Sequence, residues 1–343
     1  MKKTIFTLSL LSIVMVSCSD DSSNTNNSSS EQLERSANKE FILFTTSNTT
    51  GKVSVTDYNQ NTPAISSFTV ASTDADGAYY FSESDEFILA SRTNNRVESY
   101  SEVMGAVAMN SPALSLTATS TSDFTNAREI AVSGDKVVVA QDQFAGNGNV
   151  NKLIVYQKTA SGFTLLNSYI VNFKTWGIHL EGNTLYAVAD LESDLLSFEN
   201  FFANADGAIF PTKRVTIEGL VRTHGITYSK RSNTMVLTDV GLAASDTDGG
   251  IIVLKGFTEL FAATPNMGTI TMKKQIRIYG SATSLGNPVD VAYDHFTKTI
   301  FVAERLNGGG KLLTFDLPNS NVNTMPTSSR PEAGVSSVYL FRE

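Results

Sequence analysis

Four side chains with usable chemistry stand at equivalent points of a recurring pattern: Asp76, Arg128, Trp176 and His224, with Val289 at a fifth. An acid, a guanidinium, an indole and an imidazole meeting at one place would suit a polar ligand, with a carboxylate on Arg128 and a sugar or other ring on Trp176. Trp176 is the only tryptophan and His224 one of three histidines. Each also has a structural reading: Asp76 and Arg128 could pair with each other, and Trp176 could pack as a plug.

A second set comprises Ser91, Gln141, Asp190, Asp239 and Glu304. Hard divalent cations want several oxygen ligands, so Asp190, Asp239 and Glu304 are the candidates for holding one. The commoner task of an acid at the end of a strand is to cap a turn. Asp246-Thr-Asp-Gly-Gly250 lacks the spacing and terminal Glu of an EF-hand loop and reads as a turn. No Gly-x-Ser-x-Gly is present. His179 and His295 have no metal-ligand spacing to another histidine. Gly308-Gly309-Gly310 and Gly146-Asn-Gly148 read as hairpin turns, because no helix start follows to bind a phosphate.

The elements that must position these residues repeat along the chain. Gly225–Asp239 and Asp290–Glu304 align without a gap: a short strand, a polar turn, a second apolar strand, then a small residue and an acid. The pattern recurs at Gly177–Asp190, Glu129–Gln141 and Gly77–Ser91. A third strand follows each at Arg96–Tyr100, Lys152–Tyr156, Leu195–Phe198, Ile251–Leu254 and Lys311–Phe315. Weaker fourth strands follow at Phe163–Ile170, Arg214–Ile217 and Gln275–Ile278. Unit starts at 77, 129, 177, 225 and 290 are spaced by 52, 48, 48 and 65 residues. The longest unit carries extra chain within Leu242 to Met272, including a short helix near Phe257–Ala263. Four strands at this period resemble β-propeller blades of the YVTN or NHL kind. The resemblance implies that the first strand of each blade lines a central channel, with Asp76, Arg128, Trp176 and His224 at its mouth. Six-bladed lactonases and gluconolactonases of similar architecture hold a catalytic calcium in the channel. Here Arg128 and Trp176 stand where that pattern would need oxygen donors.

The ends predict the blade count. Phe41–Thr46 and Lys52–Tyr58 read as second and third strands with no first strand before them, and Gly334–Phe341 as a first strand with nothing after it. Joined, they complete one blade and leave no open sheet edge. This predicts an all-β, six-bladed propeller over 39–343. Seven blades is the alternative, if the Leu242–Met272 insertion hides a degenerate one.

The lone cysteine, Cys18, follows Met1-Lys2-Lys3, an apolar run from Thr4 to Val16, and Ser17. That is the layout of a secretory signal, and Met15-Val16-Ser17-Cys18 resembles a bacterial lipoprotein signal. The expected division is a signal peptide over 1–17, then lipidated Cys18 and a Ser/Asn-rich tether over 18–38. Ser19-Asp20-Asp21-Ser22-Ser23 resembles the acidic export signal of Bacteroidota surface lipoproteins. Loss of Lys2 and Lys3 with the signal takes the net charge from −8 to −10, which disfavours nucleic acid as a partner. The leading expectation is a lipid-anchored, surface-exposed outer-membrane propeller that binds a glycan, a peptide or an envelope protein, without catalysis or cofactor. The alternative is a metal-dependent lactonase or hydrolase, with calcium as its ion.

Overall fold

The computed structural model describes residues 40–60 and 62–343. Cys18, the signal peptide and the tether lie outside the described residues. Six antiparallel sheets make a six-bladed β-propeller. Blade 1 contains Val335–Arg342, Phe41–Ser47, Lys52–Asp57 and Ala64–Thr69, from innermost to outermost strand. Blades 2 to 6 begin with innermost strands Ala75–Phe81, Ala127–Ser133, Thr175–Glu181, Ile226–Ser229 and Pro288–Asp294. Their second strands are Glu86–Ser91, Lys136–Gln141, Thr184–Ala189, Thr234–Asp239 and Thr299–Glu304.

The second strands read as unbroken apolar runs because both of their faces are buried. Successive side chains of a strand point to opposite faces. In blade 2, Phe87 and Leu89, with Tyr80 of the same blade, pack towards blade 1 against Phe44 and Val55. Ile88 and Ala90 pack towards blade 3 against Ile130, Val137 and Val139. The same division recurs around the ring, so that the hydrophobic core is a set of wedges between neighbouring blades.

The ring closes as the unpaired ends predict. Phe41–Ser47 pairs antiparallel with Val335–Arg342, in a register running from Phe41 opposite Arg342 to Ser47 opposite Val335. Leu43, Val335 and Val338 then complete the last wedge with Phe301, Ala303 and Leu312 of blade 6. Full burial of each such large aliphatic or aromatic side chain contributes about 1.5–3 kcal/mol.

The seven-blade alternative is overturned by the insertion itself. Its residues form helix α2 (Phe257–Ala263), the short strand Thr269–Ile270 and the third strand of blade 5, Gly250–Lys255. Phe257 and Phe261 fill the wedge between blades 4 and 5, beside Val215, Ile217 and Leu254. Thr269–Ile270 pairs parallel with the outer strand of blade 4, Lys213–Ile217. The added chain is therefore a cover over one wedge. Blade 2 carries a smaller cover, helix α1 (Val103–Ala108), which the sequence reading did not anticipate.

Deleting residues 334–343 removes the innermost strand of blade 1 and exposes the Phe41–Ser47 edge. The expected result is loss of the single cooperative transition in a thermal melt followed by circular dichroism. A cooperative melt at the wild-type temperature would refute closure as the source of stability.

Candidate functional site

A backbone irregularity aims the mouth residues. In five of the six blades the innermost strand slips register against the second strand near one end of the channel. The slips lie between Asp76 and Ala78, Ala127 and Glu129, Thr175 and Ile178, and Pro288 and Asp290. In blade 1, Val335 and Ser337 pair with consecutive residues and leave Ser336 out of register. A β-bulge of this kind re-aims a side chain that regular pleating would send into the sheet stack. Arg128, Trp176, Val289 and Ser336 are the displaced residues, and Asp76 flanks the remaining bulge. With His224 they line one cavity of about 300 Å³, joined by Asn48, Arg92, Arg222, Ala243, Asn287 and Arg305. The four residues singled out by the repeat therefore share a mouth with Val289.

The geometry corrects the expected division of labour. Trp176 lies flat on His224, with ring centroids 3.4 Å apart and 2° between planes. The Arg128 guanidinium stands 3.9 Å from the Trp176 centroid. A sugar therefore has no free indole face to stack upon, contrary to the expectation for Trp176. Nor do Asp76 and Arg128 pair with each other. Arg128 donates to Asp142 Oδ2 from Nε and NH2, at 3.2 and 3.0 Å, and Asp76 is 3.7 Å from Arg92.

These contacts belong to a ladder of alternating charge across blades 2 to 5. Arg92 stands between Asp74 and Asp76. Lys174 reaches Asp142 at 3.5 Å and Asp190 at 2.8 Å. Arg222 Nε donates to Asp190 Oδ1 at 2.7 Å. On the blade 1 side, Asn48 accepts from Arg305 Nε at 2.9 Å and donates to the Gly334 carbonyl at 3.2 Å, tying the mouth to the closure seam. Five residues at or beside the mouth have a signal that was available. Asp74, Asn126, Lys174, Arg222 and Asn287 each stand two residues before a mouth residue, in the approach to an innermost strand. Arg92 and Arg305 directly follow Ser91 and Glu304 at the ends of second strands.

The candidate metal ligands are not gathered. Asp239 accepts the backbone N–H groups of Val221, Arg222 and Gly241 and the Tyr279 hydroxyl. Glu304 accepts the N–H groups of Gly286, Asn287, Leu306 and Asn307. Asp190 is held by Lys174 and Arg222. Each acid organises its own loops, and among the described residues no three His, Cys, Asp or Glu side chains form a group that could hold a metal. Ser91 and Gln141 do the same work, accepting the Asn94 and Thr125 N–H groups.

Burial tunes several of these groups. Asp76 is pushed up to about 7 by burial, against the opposing pull of Arg92 and Arg128. His224 is pushed down to about 4 by burial, against the pull of Asp190, so it is neutral near pH 7. Burial would raise Asp190, but its contacts with His224, Arg222 and Lys174 outweigh it and hold the carboxyl well below the usual range.

Below the mouth the innermost strands of neighbouring blades approach backbone to backbone. A Cβ on Gly177 would come within 2.1 Å of the His224 carbonyl oxygen, and one on Gly225 within 2.7 Å of Asp290 Cα. Only glycine permits innermost strands to approach so closely. A larger cavity of about 470 Å³ opens at the other end and shares no lining residue with the mouth. His179 and His295 line that cavity, with Tyr79, Tyr228, Tyr293 and Tyr339. Its buried acids accept backbone N–H groups: Asp290 from Val291 and Val338, Glu129 from Ile130. The smaller cavity is the stronger candidate because the charged groups converge there.

No family model matches this chain, and no curated protein matches it in sequence. Solved structures do share its fold. A chain of the nidogen–laminin complex superposes with a TM-score of 0.59 at 12% identity, over 88% of this chain and 98% of the other. A Bacteroides caccae protein of unknown function gives 0.55 at 9% identity, over 89% and 100%. A Bacteroides fragilis protein provisionally assigned as a 6-phosphogluconolactonase gives 0.56 at 10% identity, over 88% and 98%. At these identities the likeness is one of fold.

The raised Asp76 contributes stability that is complete below about 3.8 and is lost as pH rises towards 7. Asp290, raised to about 8 by burial, acts in the same sense. His179 and His224, both lowered to about 4 by burial, act oppositely, losing their contribution as pH falls from 6.5. The two effects oppose each other in acid, and from about pH 6.5 to 8 the carboxyls act alone. The melting temperature should fall over that window, and Asp76→Asn should lessen the fall by a few degrees. An identical fall in wild type and variant would show that Asp76 titrates normally.

Proposed function

We propose that this protein is a ligand-binding propeller, anchored by lipid at Cys18 to the outer membrane and displayed on the cell surface. The observation that carries the binding assignment is the mouth, where Asp76, Arg92, Arg128, Trp176, Arg222, His224 and Arg305 line one cavity of about 300 Å³. Cavities of this size suit small ligands or the end of a longer one, and a few convergent polar groups set their specificity. Glycans, peptides and envelope proteins all present such ends. The anchor rests on the order of signal, Ser17, Cys18 and acidic tether. The several acyl chains of a lipoprotein would hold the protein far more firmly than one chain could.

A second reading is hydrolysis of a lactone or related ester. A buried carboxyl brought near neutrality in a cleft is suited to proton transfer, and Asp76 is such a group. The provisional lactonase assignments of structural neighbours at 10% and 14% identity add only their fold. Binding is the leading reading, because charged side chains converge in the mouth while its one lining hydroxyl, Ser336, is engaged with the Ala75 carbonyl.

Separate measurements test the anchor, the surface display and the mouth. Cys18→Ser should abolish incorporation of labelled palmitate and release the protein from membranes. Unchanged membrane attachment of that variant would refute the anchor. Protease shaving of intact cells should remove the wild-type protein, and replacement of Asp20 and Asp21 by Ala should protect it inside the cell. A wild type that resists shaving until the cells are lysed would refute surface display. For the mouth, Trp176 is the sole fluorophore of its kind, so a bound ligand should shift its emission. Turnover of a lactone lost in Asp76→Asn would replace the binding reading with the hydrolytic one.

A further inference from the structure

We infer that the larger cavity, at the end of the channel away from the mouth, binds a small organic ammonium ion at Glu129 and Asp290. This second site stands independently of the reading of the mouth.

The repeat itself isolates these two acids. The unit starts Gly77, Glu129, Gly177, Gly225 and Asp290 each stand one residue after a mouth residue. Three of the five are glycines, so Glu129 and Asp290 supply the only long side chains among them. They belong to blades 3 and 6, which are opposite one another in a ring of six. The glycines let neighbouring strands press close. A Cβ on Gly77 would come within 2.9 Å of the Glu129 carbonyl carbon, and one on Gly225 within 2.7 Å of Asp290 Cα. Both acids line the cavity of about 470 Å³, and both keep some accessible surface, Glu129 9% and Asp290 5%.

Neither acid has a cation of its own among the described residues. Asp290 uses both carboxyl oxygens to accept backbone N–H groups, from Val291 and Val338. Glu129 Oε1 accepts the Ile130 N–H, and its Oε2 takes no hydrogen bond from the described residues. Backbone donors of this kind favour the ionised carboxylate. Arg342 is the one Lys or Arg in the lining, and it stands 3.7 Å from Asp294 and 4.3 Å from the Phe41 ring centroid. Burying two ionised acids without a counter-charge is strongly unfavourable. Burial accordingly pushes Asp290 up to about 8. Burial, and then the Asp290 charge, push Glu129 well above the usual carboxylate range. A cation beside the pair would restore the ionised form for which these hydrogen bonds are arranged.

The walls select the cation. Tyr79, Tyr228, Tyr293 and Tyr339 line the same cavity, and aromatic faces attract ammonium groups while packing against an apolar body. A bare divalent ion wants several oxygen ligands, and among the described residues no three His, Cys, Asp or Glu side chains form a group that could hold one. The other titratable groups of the lining are quiet near neutrality. His179 is pushed down to about 4 by burial, and burial lowers His295 as well. Burial raises the four tyrosines, and Asp294 faces Arg342. Asp76, whose charge also reaches the pair, lines the mouth and not this cavity. An entering ammonium ion must therefore displace a proton from Glu129 and Asp290, and its affinity should rise from about pH 6.5 to 8 as they ionise.

The test is calorimetric titration of the full-length chain in detergent micelles with phenethylamine, beside 2-phenylethanol, 3-phenylpropionate and Nα-acetyl-lysine amide. Phenethylamine should bind about tenfold more tightly than the uncharged alcohol of the same shape, and 3-phenylpropionate should not bind. Repetition in buffers of different ionisation enthalpy should show a proton released as the amine binds. Glu129→Gln, which keeps an acceptor for the Ile130 N–H, should weaken the amine about tenfold and lessen the proton release. If that variant fails to fold, the proton release and the rise of affinity with pH in the wild type decide the matter. Equal binding of alcohol and amine, or amine binding without proton release, would overturn the ammonium assignment. Binding and release unaltered in Glu129→Gln would place the amine elsewhere and overturn the site. Tighter binding of Nα-acetyl-lysine amide would put a partner's lysine there and overturn the small-molecule ligand. Failure of phenethylamine to bind would overturn the inference, and none of these outcomes bears on the mouth.

Discussion

Everything in this molecule depends on one strand pairing across the whole length of the chain, Phe41–Ser47 with Val335–Arg342. A propeller has no central core. Its apolar side chains are buried only between neighbouring blades, so every wedge needs a blade on each side. Without the closing pair, two wedges lose a wall together: the one built on Phe44 and Tyr80, and the one built on Leu43 and Phe301. The pairing also removes the exposed edge of Phe41–Ser47, which would otherwise offer unpaired N–H and C=O groups to another chain. Stability and solubility thus rest on the same contact.

The closed ring then brings six strand ends to one axis, and bulges in five of them decide what is presented there. Regular pleating would have turned Arg128 and Trp176 towards the sheet stack. One extra residue in each innermost strand turns them to the opening instead. The same layer needs glycine just beneath, where Gly177 and Gly225 let neighbouring backbones touch. The mouth and the strand contacts beneath it are therefore parts of one design: side chains above, backbone contact below. Between them the charge ladder fixes the guanidiniums, and it covers both faces of Trp176 with Arg128 and His224. An indole so enclosed positions its neighbours.

Much of this was legible beforehand, and for a definite reason. A blade needs two apolar faces and tight turns, and that need writes itself into the chain as short apolar runs such as Phe87–Ala90 and Ile300–Ala303. Because the unit repeats, aligning it put Asp76, Arg128, Trp176 and His224 at one level, and they do share one cavity. The alignment could not show the bulges, since an extra residue in a strand looks the same as a regular one. It passed over Arg92 and Arg305, which belong to loops whose lengths differ between blades. It offered Asp190, Asp239 and Glu304 as metal ligands, because an acid at a strand end looks alike whether it faces an ion or caps a loop. The four N–H groups on Glu304 separate the two.

Local physical chemistry was enough to establish an all-β repeat, six units, closure by the two ends and the level at which side chains would meet. Each follows from periodicity, turn chemistry or an unpaired strand, and each of these is written within a few consecutive residues. Which groups pair, what lies unpartnered and how far a carboxyl is displaced were decided only by the folded ring. Asp76 sits near neutrality because blades 2 and 3 exclude water around it while Arg92 and Arg128 approach it only in part. The Leu242–Met272 insertion became a wedge cover because Phe257 and Phe261 found a gap between two blades. Distances between blades come from packing, and packing is a property of the whole chain.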